Sequence, residues 1–498
     1  MISSNENVSN AQSRRVDDLL KKTRSSGVLA PLFSLPGIRD VGSLGRCARD
    51  FVDFLEDTKQ TWYQTLPITP IDEANSPYAG RSAFACETLY LDLEEFRDEG
   101  LLDDDDLAEA WFLPQTDEPD ASSKPQTDAR SERIDYQLAI RRREPCWKKA
   151  FDRYKRGVGG EKYRREEKRF REENADWLDD YLLFQTAAKK YADYDWRNWP
   201  EEIKRRDPKA LERLIKDEPD NQEFFDYLLF LQLAFDVQWK EFKDYCESKS
   251  IRLIGDVPIY VGIMSADVWT NPELFLVDHD GKIVREAGTP KDGFNSVEQR
   301  WGSPVYDWKK HKETNFQWWK RRMTKTLKQF DAVRLDHFIG FYNYYSFAGE
   351  GIDPVSGKVG EPPAAEIKEG RTYDDGWAPG PQEDFFDAIF SVCPKDAFIA
   401  EDLGNMNGQN GVTQTADAED AGNTQDQGSS QDTGSAQDQS AGDSQGQGSS
   451  QDTGSAQGQS AGGSQDQNSP QDTGNSQDQS DSQNQSENAD YVRYYFRN

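Results

Sequence analysis

From Gly404 to Asp490 the sequence contains no leucine, isoleucine, phenylalanine or tryptophan. Such a stretch has nothing with which to fill a core, so the fold of this 498-residue chain must be assembled from residues before about 404. All thirteen tryptophans lie at or before Trp377. Blocks beginning at Gln431, Gln451 and Gln471 read QDTGSAQDQS, QDTGSAQGQS and QDTGNSQDQS, a repeat with a period of twenty. A solenoid would also repeat at such a period, but its units need apolar residues to stack on one another, and these have none. The composition therefore predicts a disordered Gln/Asp/Ser/Gly repeat over 405–490, then a short aromatic C-terminus over 491–498.

The net charge of −31 divides in the same way. Residues 405–490 hold fourteen Asp or Glu and no Lys or Arg, which leaves about −17 on the rest. Acidity on this scale argues against nucleic-acid or anionic-membrane partners, which need a cationic footprint. A neutral polyol is compatible with it. The five cysteines are odd in number, widely spaced and without a CxxC pair. They read as reduced thiols in a cytoplasmic protein, not as a disulfide frame. Residues 1–25 form a polar extension without a signal core. With three histidines and no His/Cys cluster, no metal site is expected.

Ordered patterns begin at residue 26. Residues 28–33 read as a short buried strand, Phe51, Val52, Phe54 and Leu55 as a helical stripe, and 62–68 as a second strand. Strand, helix, strand at this spacing over 26–93 suggests a βαβ unit of a parallel sheet or barrel. Residues 94–250 carry long charged runs, with Phe151, Tyr154 and Val158 at helical spacing and a Pro/Ser loop at 118–127. This segment reads as a helical insertion subdomain. Strand pattern returns at 251–254. Within 251–404 two further strands are expected at 330–335, ending on Asp336, and at 396–400, ending on Glu401. A helix rich in Trp and Lys precedes the first, and a Gly/Pro loop over 349–381 separates the two. Strands that stop on carboxylates suit a (β/α)8 barrel of the TIM type, whose chemistry sits at the C-terminal ends of strands.

Arg334 and Asp336 are two apart on a strand, so their side chains leave the same face. An arginine there is expected to lower the aspartate's pKa and keep it ionised, as a carboxylate nucleophile requires. Glu401 ends the next strand. Two such carboxyls across a barrel mouth, roughly 5–5.5 Å apart, suit retaining glycosyl transfer. On residue types alone, Arg-x-Asp on a strand is usually a structural ion pair, and Glu-Asp after an apolar run is usually a helix cap. Trp301, Trp308, Trp318, Trp319 and Trp377 are candidates to stack on sugar rings, or else core residues.

Longer strings narrow the choice. SGVLAPLFSLPGIRDVGSLG (26–45), LPITPIDEANSPYAGRSAFA (66–85), GDVPIYVGIMSADVWTNPELF (255–275), QRWGSPVYDW (299–308), VRLDHFIGF (333–341) and AEDLG (400–404) occur in this order. Together they resemble the 4-α-glucanotransferases of the amylomaltase (disproportionating enzyme) family over residues 26–404. The resemblance implies that Asp336 is the nucleophile and Glu401 the general acid/base. It further implies that Arg334 orients the nucleophile, that His337 and Asp256 lie at the donor sugar, that Asn75, Ser76 and Tyr78 border the groove, and that Trp301 sits beside the acceptor. The implied substrates are an α-1,4-glucan donor and a maltooligosaccharide acceptor, with no cofactor and no metal. The resemblance leaves oligomeric state undefined. A retaining α-glucan hydrolase of the same barrel type and a glucan-binding protein without turnover remain as alternatives.

Two departures accompany the resemblance. Many family members have Asp-Tyr-Phe where this chain has Asp292-Gly293-Phe294, one aromatic fewer. They also continue past AEDLG to a His-Asp-Asn motif whose aspartate binds the donor sugar. Here no histidine follows His337. The barrel is therefore expected to be incomplete at its C-terminal end, by roughly three βα units.

Overall fold

The computed structural model describes residues 25–36, 41–72, 74–111, 134–291, 297–354, 357–360, 371–373, 376–401 and 412–414. The loop expected at 118–127, Asp292-Gly293-Phe294, most of the extension and repeat, and the aromatic C-terminus lie outside the described residues. In chain order the described strands are β1 (Gly27–Leu29), β2 (Trp62–Gln64), β3 (Arg252–Val257), β4 (Arg285–Thr289), β5 (Gln299–Pro304), β6 (Ala332–Leu335), β7 (Asn343–Ala348), β8 (Arg371–Tyr373), β9 (Trp377–Pro379), β10 (Phe398–Ala400) and β11 (Val412–Gln414).

Five of them make a wholly parallel sheet in the order β1-β2-β3-β6-β10. Neighbours in the sheet are successive in the chain, and a helical crossover precedes each added strand. These include Arg46–Asp57 before β2, Pro219–Ser248 before β3, Gln317–Gln329 before β6 and Gln382–Phe390 before β10. This is the winding of the first five units of a (β/α)8 barrel. A second, antiparallel sheet in the order β5-β4-β7-β9 is built from the segments that follow β3 and β6. The pair β8 and β11 is separate from both sheets.

Several strands are shorter than their apolar runs, because proline and turn geometry cut them. The run at 28–33 is not a buried strand. β1 stops at Leu29, which is 54% exposed, and Leu32–Ser34 turns into a 3-10 helix behind Pro31. The 62–68 run stops at Gln64, ahead of Pro67. In the 330–335 run, Phe330 closes the preceding helix, and the strand begins at Ala332. The 396–400 run loses its start to a 3-10 turn, Lys395–Ala397, behind Pro394. Of the helical triplet, Phe151 and Tyr154 lie on the helix Tyr136–Lys155, but Val158 falls beyond it and is exposed. Gly157, Gly159 and Gly160 have φ of 75°, 67° and 71°, which ends that helix and starts Glu161–Glu173.

One hydrophobic core joins the barrel strands to the helices between β2 and β3. The 30-residue helix Pro219–Ser248 is its axis. Trp239 on it packs edge-on to Phe330, 5.2 Å between centroids, and donates its indole N–H to the Gln329 carbonyl at 3.0 Å. The Phe330 ring in turn lies over Gly255, where an added Cβ would meet it at 2.4 Å. This contact explains the glycine at the centre of β3.

Two glutamines on the long helix replace missing backbone partners. Gln232 accepts from the Cys86 N–H (2.9 Å) and donates to the Cys86 carbonyl (2.8 Å). Gln238 treats Asp92 in the same way, at 2.8 and 3.2 Å. Both pairs are buried, so loop 85–92 is held as though by a strand. Replacing Gln232 by Met strands one buried donor and one buried acceptor, each costing about 1–3 kcal/mol. The expected result is a loss of about 2–4 kcal/mol in urea unfolding. A change below about 0.5 kcal/mol would show that water satisfies Cys86 instead.

Candidate active site

Parallel register brings three distant segments to one layer. Asp256 of β3 is the direct partner of Arg334 on β6, and Val257 pairs with Leu335. On the other side Ala400 of β10 pairs with Leu335. The next residues of β6 and β10 are Asp336 and Glu401, whose backbones are still tied in: the Asp336 N–H donates to the Val257 carbonyl (3.0 Å), and the Glu401 N–H to the Leu335 carbonyl (3.2 Å). Both carboxyls therefore emerge at the C-terminal ends of adjacent parallel strands, where a barrel places its chemistry.

Arg334 binds all three carboxylates. Its Nε and one terminal nitrogen each lie 3.1 Å from the Asp256 oxygens, the same terminal nitrogen lies 2.9 Å from Asp336, and the other is hydrogen-bonded to Glu401. Glu401 also accepts the backbone N–H of His337 at 2.7 Å. His337 can present that N–H because it sits in the left-handed region, at φ 48°. Tyr78 closes the cluster from the loop after β2, donating its hydroxyl to Asp256 at 2.8 Å. The Asp256 side chain is fully buried, while Asp336 and Glu401 keep 24% and 17% exposure. Two carboxyls thus open to an incoming molecule, and the third anchors the arginine. Asp256, expected to line the donor-sugar site, is instead covered by Arg334 and Tyr78.

The electrostatics overturn one expectation. Arg334 does not hold the Asp336 carboxyl low. Burial pushes it up, and the negative charges of Glu401 and Asp256 push it further, to about 7, against the opposing pull of Arg334. One guanidinium shared among three carboxylates leaves two negative charges uncompensated in a poorly solvated place. Asp256 is raised as well, first by burial. Burial lowers His337 to about 4, so its imidazole is neutral at pH 7, although the Glu401 charge works the other way.

The remaining residues divide clearly. Trp301, on β5, stands edge-on to the His337 ring at 5.0 Å, and the Tyr260 ring lies 6.0 Å from it. Tyr260 went unremarked in the sequence, although it stands within the PIYV string. Ser76 shapes the loop that carries Tyr78. Its N–H donates to Asp72 (3.0 Å), and its hydroxyl accepts the Tyr78 N–H (3.3 Å). Asn75 lies exposed on that loop at φ 57°. Neither Asn75 nor Ser76 joins the carboxylate cluster. Among the tryptophans, Trp318 and Trp319 are core residues, and Trp308 packs on Tyr306 with centroids 4.8 Å apart. Those three are therefore set aside as sugar platforms.

The five cysteines are free, and four are buried. Among the described residues, no helix is long and apolar enough to cross a membrane.

Known proteins are similar to this chain over about three quarters of its length. A family model described as 4-alpha-glucanotransferase matches residues 30–418. The 4-alpha-glucanotransferase of Clostridium butyricum is 35% identical over 374 residues, covering 75% of this chain and 68% of that protein. That of Aquifex aeolicus is 35% identical over 383 residues, covering 76% and 69%. Among solved structures, the amylomaltase from Streptococcus agalactiae in complex with acarbose superposes with a TM-score of 0.65 at 32% identity, over 78% of this chain and 70% of that one. With an Arg-bridged carboxylate pair at the ends of adjacent barrel strands and relatives of this identity, the chain belongs to the 4-alpha-glucanotransferase family.

Proposed function

We propose that this chain transfers α-1,4-glucan segments between maltooligosaccharides by retaining double displacement, with Asp336 as nucleophile and Glu401 as general acid/base. The observation that carries the reading is the single guanidinium of Arg334, which grips both carboxyls on neighbouring nitrogens at the strand ends. Asp336 attacks the anomeric carbon of the donor while Glu401 gives its proton to the departing 4-oxygen, so one C–O bond forms as another breaks. The 4-hydroxyl of an acceptor then attacks the glucosyl ester, returns a proton to Glu401 and releases Asp336. The step needs an ionised Asp336 and a proton on Glu401; burial and the neighbouring carboxylates raise the Asp336 carboxyl, which supports a pair that shares one proton between its members. Arg334, with Asp256 and Tyr78 behind it, keeps the nucleophile aimed. His337 and Trp301 border the sugar, and Asn75 and Ser76 serve through the loop that delivers Tyr78. Two carboxyls suffice for this chemistry, and no metal or organic cofactor takes part.

Transfer wins over hydrolysis when the acceptor groove binds sugar and excludes water. The unpaired thiols support a cytoplasmic setting. The Asp336 carboxyl, raised by burial and by its acidic neighbours, favours a second reading, a glucan-binding protein without turnover, because a protonated carboxyl is no nucleophile.

Incubation with maltotriose, followed by chromatography, separates these readings. The expected products are glucose and a ladder of longer maltooligosaccharides, absent with Glu401→Gln. Glucose and maltose without longer products would mean a hydrolase. No products from a folded chain would leave only the binding protein.

A further inference from the structure

The carboxylate site does not account for an aromatic row on the second sheet. Across that sheet Arg300, Gly288, Tyr345 and Trp377 are successive register partners on β5, β4, β7 and β9, so their side chains leave one face. Glu286 and Phe347, the next paired positions, leave the same face. The alternate positions Ala287, Ser346, Tyr344 and Ala378 are buried, which identifies the opposite face as the one turned to the core. On the outer face Arg300 is exposed, and Tyr345 and Trp377 are half-buried.

This outer row is closely packed. The Tyr345 and Trp377 rings meet edge-on at 5.4 Å, and Phe347 meets Tyr345 at 5.1 Å. The Arg300 guanidinium lies 4.1 Å above Phe347 and pairs with Glu286 at 3.1 Å. Gly288 lets the Phe347 ring lie down over β4, since an added Cβ would meet that ring at 2.6 Å. From Arg300 to Trp377 the row crosses three strand spacings, about 14 Å. That length matches a few linked glucose rings, and of the row's aromatics Phe347 is buried beneath Arg300 while Tyr345 and Trp377 keep part of their rings exposed beside the Arg300–Glu286 pair. Half-exposed aromatics next to polar groups are the composition that sugar rings need, because one face of a pyranose presents C–H and its rim presents hydroxyls.

We propose that the outer face of the β5-β4-β7-β9 sheet, with Tyr345 and Trp377 as its platform, is an accessory binding site for α-1,4-glucan chains. The choice of ligand rests on the transfer reading above and on continuity. β5 carries Trp301, beside His337, on one face and Arg300 on the other, so the platform and the candidate active site share this strand.

Native gels containing soluble amylose test this, with Asp336→Asn as the parent so that the glucan is not consumed. The parent should be retarded. Adding Trp377→Ala should weaken retardation about five- to tenfold, the effect of one lost stacking contact, and Trp377→Tyr should restore most of it. In the otherwise unaltered chain, Trp377→Ala should leave maltotriose transfer unchanged and raise KM for amylose. A second measurement needs no folded variant. Amylose should slow N-bromosuccinimide oxidation of Trp377, mapped by peptide mass, and α-1,6-linked dextran should not. Retardation indifferent to Trp377, or oxidation indifferent to amylose, overturns the platform even if the maltotriose ladder appears. Retardation that depends on Trp377 without any ladder upholds the platform and removes the transfer reading.

Discussion

Asp336→Asn should abolish glucan transfer and at the same time make the protein more stable. The loss of activity is expected to be on the order of 10⁴-fold or more, because no covalent ester can form and the isosteric amide offers no substitute nucleophile. The gain in stability follows from the crowding of three carboxylates around one arginine. Asp336 ionises in the folded protein only against the charges of Glu401 and Asp256 and against its own burial. Its folded pKa, about 7, lies above that of an unfolded aspartate, about 3.9. Below pH 4 both states hold the proton and there is no penalty. Between pH 4 and 7 the unfolded chain releases its proton and the native one keeps it, so unfolding becomes progressively easier as pH rises. Asparagine removes that slope. The variant should therefore exceed the parent by about 0.5–2 kcal/mol at pH 7.5 and match it near pH 4. Equilibrium unfolding in urea at the two pH values reads this directly. A variant less stable than the parent at pH 7.5 would mean that the Asp336–Arg334 ion pair outweighs the repulsion.

Arg334→Met is the opposite experiment on the same cluster. It leaves Asp256 with a fully buried side chain, and leaves Asp336 and Glu401 beside it without a cation. Removing one partner of a buried ion pair costs about 3–5 kcal/mol, and here one cation serves three anions. The loss should be largest above pH 7 and should shrink as pH falls, because the carboxyls then take up protons and no longer need neutralising. Adding Asp256→Asn should recover part of it, since the two residues bond directly and their effects are coupled. A loss below about 1 kcal/mol at pH 8, the range of a solvent-screened surface pair, would remove Arg334 from its central place. The two variants together separate stability from function: both are expected to be inactive, but one is more stable than the parent and the other less.

Much of the site could be read from spacing. That Arg334 and Asp336 share a face follows from the two-residue period of a strand, and their 2.9 Å contact agrees with it. That Glu401 belongs to the next barrel strand followed from the apolar run before it, and β10 does pair with β6. Element ends were less legible. Pro31 and Pro67 cut strands short in runs whose hydrophobicity continues past them, a 3-10 turn behind Pro394 takes the start of another, and Phe330 served a helix cap rather than a strand. Hydrophobicity says that a residue will be buried, and both elements bury it.

Sequence by itself determined where a core could exist, because no Leu, Ile, Phe or Trp occurs from 404 to 490, and it determined which carboxylates would stand at strand ends. Only the tertiary structure decided what those carboxylates would experience. Asp256 and Arg334 are 78 residues apart, Arg334 and Glu401 67, and Tyr78 and Asp256 178. Their meeting turned an expected pKa depression into an elevation. It also closed Asp256 off from solvent, and packing elsewhere sent Trp318 and Trp319 into the core while leaving Trp377 on an outer face. Periodicity is a property of neighbours along the chain. Charge and desolvation add up over everything within a few ångströms, and in this molecule those neighbours arrive from four separate segments.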